Sequence, residues 1–79
     1  MIKYWVQVSD KESGVITNSY SFEAENDDEA THELLKNPPT SGIGDASGMV
    51  VTLSKTTEIV RQDLLALMIE SVARFPSEG

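Results

Sequence analysis

Alternation of apolar and polar residues governs the first two dozen positions. Over residues 2–9, Ile2, Tyr4, Val6 and Val8 point to one side, and Lys3, Trp5, Gln7 and Ser9 to the other. That is the period of a strand with one buried face. Alternation returns over residues 15–24, with Ile16, Tyr20, Phe22 and Ala24 on one side. Between the two runs lies Asp10-Lys11-Glu12-Ser13-Gly14, a polar turn whose glycine reaches positive φ at little cost. Two alternating runs joined by such a turn predict a β-hairpin.

The period then becomes helical. Asn26 suits an N-cap and Glu29 falls three residues later, as in a capping box. Asp27, Asp28 and Glu29 complement the positive end of the helix dipole. Ala30, Thr31, Leu34 and Leu35 share one face, with His32, Glu33 and Lys36 opposite. Asn37 and Pro38-Pro39 end the helix near Lys36, because a residue before proline is pushed out of the α region. Residues 38–48 (PPTSGIGDASG) form a long loop with three glycines and two prolines, either mobile or functional. Residues 49–53 predict a third strand, apolar at both parities and so partly covered on both faces.

Residues 56–75 predict the major helix. Val60, Leu64, Leu65, Met68, Ile69, Val72 and Phe75 make its apolar stripe, while Asp63, Glu70 and Arg74 line the other half with Leu67 among them. So wide a stripe exceeds what a short sheet needs to bury. A second arrangement fits the same residues: 58–61 form a fourth strand and Asp63 N-caps a shorter helix. Residues 76–79 are expected to fray. The first arrangement gives the order β-β-α-β-α. The fold class is then α+β, a small antiparallel three-stranded sheet with two helices packed on one face, in a single domain over residues 1–79. No internal repeat is visible in the sequence.

Composition narrows the classes of function. With no Cys there are no disulfides, which fits a reducing compartment, and with a single His a structural zinc site is not expected. The longest apolar run, residues 64–69, is far short of the roughly 20 residues that span a bilayer. The first ten residues are too short and too polar for a secretory signal. A cytoplasmic protein with no membrane partner is expected. A domain this small buries only about 60% of its unfolded surface, so docking or self-association is an available support.

Charge is concentrated. The chain has 13 acids and six bases, a formal −7. Six of those acids fall in residues 23–33 (EAENDDEATHE), which hold no Lys or Arg. The balance argues against direct binding of nucleic acid or of an anionic membrane. It favours a protein with a Lys/Arg-rich surface.

None of the candidate chemistry assembles into a reaction. His32 has Asp28 at i−4 and Glu29 at i−3, but two or three ligands on one exposed helix do not enclose a metal. Residues 41–48 (SGIGDASG) imitate a phosphate loop without its preceding strand, its following helix or its Lys. Asp27, Asp28 and Glu29 splay by about 100° per residue at a solvated helix start, where nothing raises a carboxyl pKa. Calcium loops need an Asp-x-Asp-x-Asp-Gly run that is missing. Trp5 points away from the Tyr4/Val6 face, but base stacking comes with basic neighbours and only Lys3 qualifies, so cover by the loop or another subunit is expected. No catalytic residue, metal or cofactor is expected, and no enzymatic activity.

Capping accounts for Asn26, Asp27, Asp28 and Glu29, but not for Glu23, Glu25 or Glu33. Glu23 and Glu25 fall on the outward parity of the second strand. Glu29 and Glu33 are like charges at i, i+4, a repulsion of a few tenths of a kcal/mol in an isolated helix. A solvated face would suffice to explain them. The sharper expectation is a partner-binding surface of Glu23, Glu25, Asp28, Glu29 and Glu33, facing a basic groove.

A hairpin (IKYWVQVSDKESGVITNSYSFEAE) running into an acid-capped helix (NDDEATHELLK), in a small, acidic, Cys-free chain, resembles the anti-CRISPR proteins of phages and mobile elements. The resemblance covers about the first half of the chain and matches no motif, so it carries over no residue roles. It implies a non-enzymatic inhibitor in a bacterial host cell. Such a protein would bind a Cas complex on a Lys/Arg surface that otherwise holds nucleic acid, its acids acting as a DNA mimic. The alternative is a phage or bacterial accessory protein acting through a homodimer or other protein contacts of the last helix, around Leu67 and Met68. Monomer and homodimer both remain open.

Overall fold

The computed structural model describes residues 1–40 and 45–75. Its elements are β1 (Ile2–Asp10), β2 (Ile16–Ala24), α1 (Asp27–Lys36), β3 (Met49–Ser54), β4 (Glu58–Asp63) and α2 (Leu64–Arg74). The class is α+β. The sheet has four antiparallel strands, not three, in the order β2-β1-β3-β4. The expected tail at 76–79 lies outside the described residues, as does part of the glycine-rich loop, 41–44, and with it the phosphate-loop comparison.

The hairpin forms as its pattern predicts. Tyr4, Val6 and Val8 are fully buried beneath the helices, and Tyr4 faces Phe22 across the ladder with the rings stacked at 5.9 Å. The Asp10 carboxylate accepts hydrogen bonds from the backbone N–H groups of Glu12 and Ser13, and Gly14 closes the turn at φ 76°. One detail departs from the alternation. The register shifts after Val8, so that Ser9 pairs with Ile16 and Thr17 is the extra residue. Ile16 thereby leaves the inward face and is exposed.

The span 58–63 is a strand, so the long helix over 56–75 is corrected to β4 followed by α2. Without β4, the apolar strand β3 would be a sheet edge. Ile59 and Val60 are β-branched and suit the pleat. Val60 pairs with Leu53 and packs on the core. Asp63 does precede the helix, but its side chain makes no cap; it reaches Lys11 Nζ at 2.9 Å.

α2 is also rotated relative to the expected stripe. Leu64, Leu67 and Ser71 point into the core, and Leu67 is only 1% exposed. Leu65, Ile69 and Val72, expected in the core stripe, are 45%, 64% and 67% exposed. The helix leaves β4 without an intervening loop, so the strand end sets which side faces inward. Leu67 joins the buried core to which Leu34 and Ala30 of α1 belong, a place that the periodicity had assigned to its neighbours.

The chain thus runs β-β-α twice. In the order β2-β1-β3-β4, with β1 antiparallel to β3, a half-turn about an axis through the sheet exchanges the two halves. No sequence repeat marks this. Both helices cover one face. The other face carries Trp5, 42% exposed, with Lys3 Nζ 5.5 Å from its ring centroid.

Candidate functional site

α1 begins where the acids predict. Asn26 is its N-cap, and its side-chain oxygen accepts from the Glu29 N–H at 2.8 Å. Glu29 Oε1 reaches back to the Glu25 N–H at 3.4 Å, one residue before the usual capping-box partner. Glu33 Oε1 accepts from the Asn37 side chain at 2.9 Å. The Glu29/Glu33 repulsion is therefore offset in part by local hydrogen bonds.

Sequence spacing gave Asp27 only a place in the first turn of α1. Its carboxylate accepts from the buried Tyr4 hydroxyl at 2.7 Å and sits 2.9 Å from Lys55 Nζ, tying α1 to β1 and to the β3–β4 turn. Lys55 holds the Asp27 pKa below its ordinary value, aided by the tyrosine hydrogen bond. No local pattern marks Asp27, because its partners lie 23 and 28 residues away.

Three of the five candidate acids converge. Glu23 from β2, and Glu29 and Glu33 from α1, line a groove of about 230 Å³ with Tyr20, Phe22, Ala24, Leu34 and Asn37. The floor is apolar and the rim acidic. Burial, and then the charge of Glu33, raise the Tyr20 hydroxyl pKa. Past Tyr20 and Asn37 the groove opens into a shallower channel along Asn18 and Ser19, walled by Pro38, Pro39 and Thr40. The depression follows β2 from Ala24 to Asn18. Glu25 stands next to it in the chain. Asp28 is not in it: it lines a separate recess with Ile2, Asn26, Asp27 and Lys55.

The described ion pairs sharpen the charge picture. Lys11 pairs with Asp63, Lys55 with Asp27, Arg61 with Glu58 and Arg74 with Glu70. Among the described residues, no ion pair involves Glu23, Glu25, Asp28, Glu29 or Glu33. Lys3 lies opposite Glu23 in the ladder, but its ammonium is placed over Trp5.

His32 forms no site with Asp28 or Glu29; it packs edge-on against Phe75 with ring centroids 5.2 Å apart. Among the described residues no cluster of His, Asp and Glu could hold a metal, and no helix is long and apolar enough to cross a membrane. A second surface feature stands apart: Leu65, Met68, Ile69 and Val72 form an apolar strip on α2. Comparison with family models, curated proteins and solved structures found no match.

Proposed function

We propose that this chain is a non-catalytic inhibitor of the anti-CRISPR kind, active in the cytoplasm of a bacterial host. It covers a Lys/Arg-rich, nucleic-acid-binding surface of a CRISPR–Cas effector complex. The observation that carries this reading is the set of acids without cationic partners among the described ion pairs, three of them around one groove. Uncompensated carboxylates cost a free domain repulsion and are relieved when a basic surface meets them. Their field speeds encounter with such a surface and makes association sensitive to salt.

The test is competition for DNA binding in a panel of purified effector complexes. The wild-type chain displaces DNA from its target complex. Glu29→Lys/Glu33→Lys loses at least about tenfold in potency, as expected for reversed charges at a close electrostatic contact. Circular dichroism establishes that the variant is folded, since both residues also make local hydrogen bonds. Full inhibition by the folded variant would sink the acidic-surface mechanism. Displacement from no complex in the panel would remove the CRISPR assignment.

A second reading is favoured by the exposed Leu65, Ile69 and Val72. The chain would then be an accessory protein whose α2 strip meets a second copy or another protein. Leu67 takes no part in such a contact, because it is core. Light scattering decides the homodimer form: a monomer at every concentration removes it.

A further inference from the structure

The two sheet edges of this molecule are built differently. β4 has six residues, carries Glu58, Arg61 and Asp63, and is bulged where the register shifts opposite Leu53 and Ser54. Charges and bulges are the usual means by which an edge is kept from pairing with another chain. β2 has nine residues, no Lys, Arg or Pro, and a single bulge at its hairpin end. From Asn18 to Ala24 it pairs regularly with β1, and its far side borders the groove under α1. A strand edge beside a helix, with a groove between them, is the geometry in which extended peptides add to a sheet.

We infer that the groove takes an extended, basic segment of a partner protein as a fifth strand alongside β2. This rests on the reading of the chain as a binder of basic surfaces and specifies the form its partner presents. The six residues of β2 from Ser19 to Ala24 give a ladder about 20 Å long at about 3.3 Å per residue. Every second residue of the incoming strand faces the α1 side. There it meets Tyr20, Phe22 and Leu34 on the floor, and Glu29 and Glu33 on the rim. Glu23 flanks the groove at one end. The matching segment therefore carries Lys or Arg at every second position, the aliphatic stem lying over the floor and the charged end reaching the rim. Main-chain hydrogen bonds supply affinity, and the acids supply selection.

Charge also argues against a second copy as the occupant. Pairing β2 with β2 of another molecule would bring two sets of Glu23, Glu29 and Glu33 to one seam, each within a chain of formal charge −7. Like charges opposed across a strand pair are destabilising. The acids thus do for β2 what charge and bulge do for β4, while leaving the edge open to a strand of opposite sign.

The test uses a synthetic peptide of alternating lysine and valine, about nine residues long to match the edge. A second peptide of the same sequence is N-methylated at the amides that would face β2. It keeps the charge and cannot donate to the ladder. Binding is followed by amide chemical shifts and by hydrogen exchange across residues 18–24. The unmodified peptide slows exchange there, binds more weakly as salt rises, and binds at least about tenfold more tightly than the methylated one, as the loss of a few main-chain hydrogen bonds requires. Glu29→Gln/Glu33→Gln weakens both peptides. Equal, salt-sensitive binding of the two peptides overturns strand addition and leaves the acidic contact standing. Failure of both to bind overturns strand addition and the basic-partner reading together. Protection of residues 18–24 that appears with rising protein concentration and no peptide assigns the edge to a second copy, and overturns the inference.

Discussion

Asp27 and Tyr4 show how much one side-chain contact can organise. Burial first, and then the hydrogen bond to Asp27, push the Tyr4 hydroxyl from 10.0 up to about 12. The folded protein holds that proton where the unfolded chain releases it, so stability is intact below pH 10 and falls as pH rises toward 12. Denaturant unfolding across this range is expected to show the loss, and Tyr4→Phe to flatten most of it. A residual slope belongs to Tyr20, whose hydroxyl is raised by burial and Glu33. The acid side has the opposite sign. Asp27 is lowered by Lys55, Asp10 by the Ser13 and Glu12 amides, and Asp45 by the Ser47 amide. Each folded carboxyl stays ionised where its unfolded counterpart, near 3.8, takes up a proton. Stability is therefore present above that value and lost as pH falls below it. Asp27→Asn is expected to blunt this acid limb in the same unfolding measurement.

At the scale of elements, α2 is the most instructive. Leu67→Ala removes a core side chain that is 1% exposed, and is expected to cost about 2–5 kcal/mol in denaturant unfolding. Ile69→Ala removes one that is 64% exposed and is expected to change stability by no more than about 0.5 kcal/mol. Equal losses at the two positions would contradict the rotation of the helix. At the start of α1, Asn26→Ala deletes the acceptor for the Glu29 N–H and is expected to cost about 1 kcal/mol in the same experiment. The N-cap was legible because Asn26, the acids and the apolar spacing all lie within one turn. The direction of α2 was not, because Leu64, Leu65, Leu67, Met68 and Ile69 are apolar on nearly every side, and such a run has no preferred face.

For the whole molecule, the excess of acids sets behaviour in solution. With a formal −7 and a cluster lacking cationic partners among the described ion pairs, the folded state repels itself at low salt. Raising salt from about 0.01 to about 1 M shortens the screening length from about 30 to about 3 Å. The melting temperature is expected to rise with it. Glu29→Gln/Glu33→Gln should start higher and gain less. A melting temperature that falls steadily with salt would mean that the four described ion pairs outweigh the repulsion. The two sheet edges also differ at this scale: the acids beside β2 discourage a second copy and leave the edge open to a basic strand.

Local order along the chain was enough for the hairpin, the cap and extent of α1, the apolar character of β3 and the concentration of acid in residues 23–33. Each depends on neighbours within a turn or a strand, where period and charge decide. The five candidate acids were visible as charge, but not as a groove. Only the fold places Glu23 across from Glu29 and Glu33, separates Asp28 from them, and assigns Asp27 to Tyr4 and Lys55. Residues 58–63 were open to strand and helix alike, and pairing with β3 decided for the strand. The α2 stripe was settled by tertiary packing, which buries Leu64 and Leu67 and leaves Leu65 and Ile69 exposed. In each case the deciding contact is long-range: a partner strand, a facing helix or a distant lysine lies beyond the reach of periodicity, and burial selects among local patterns of similar energy.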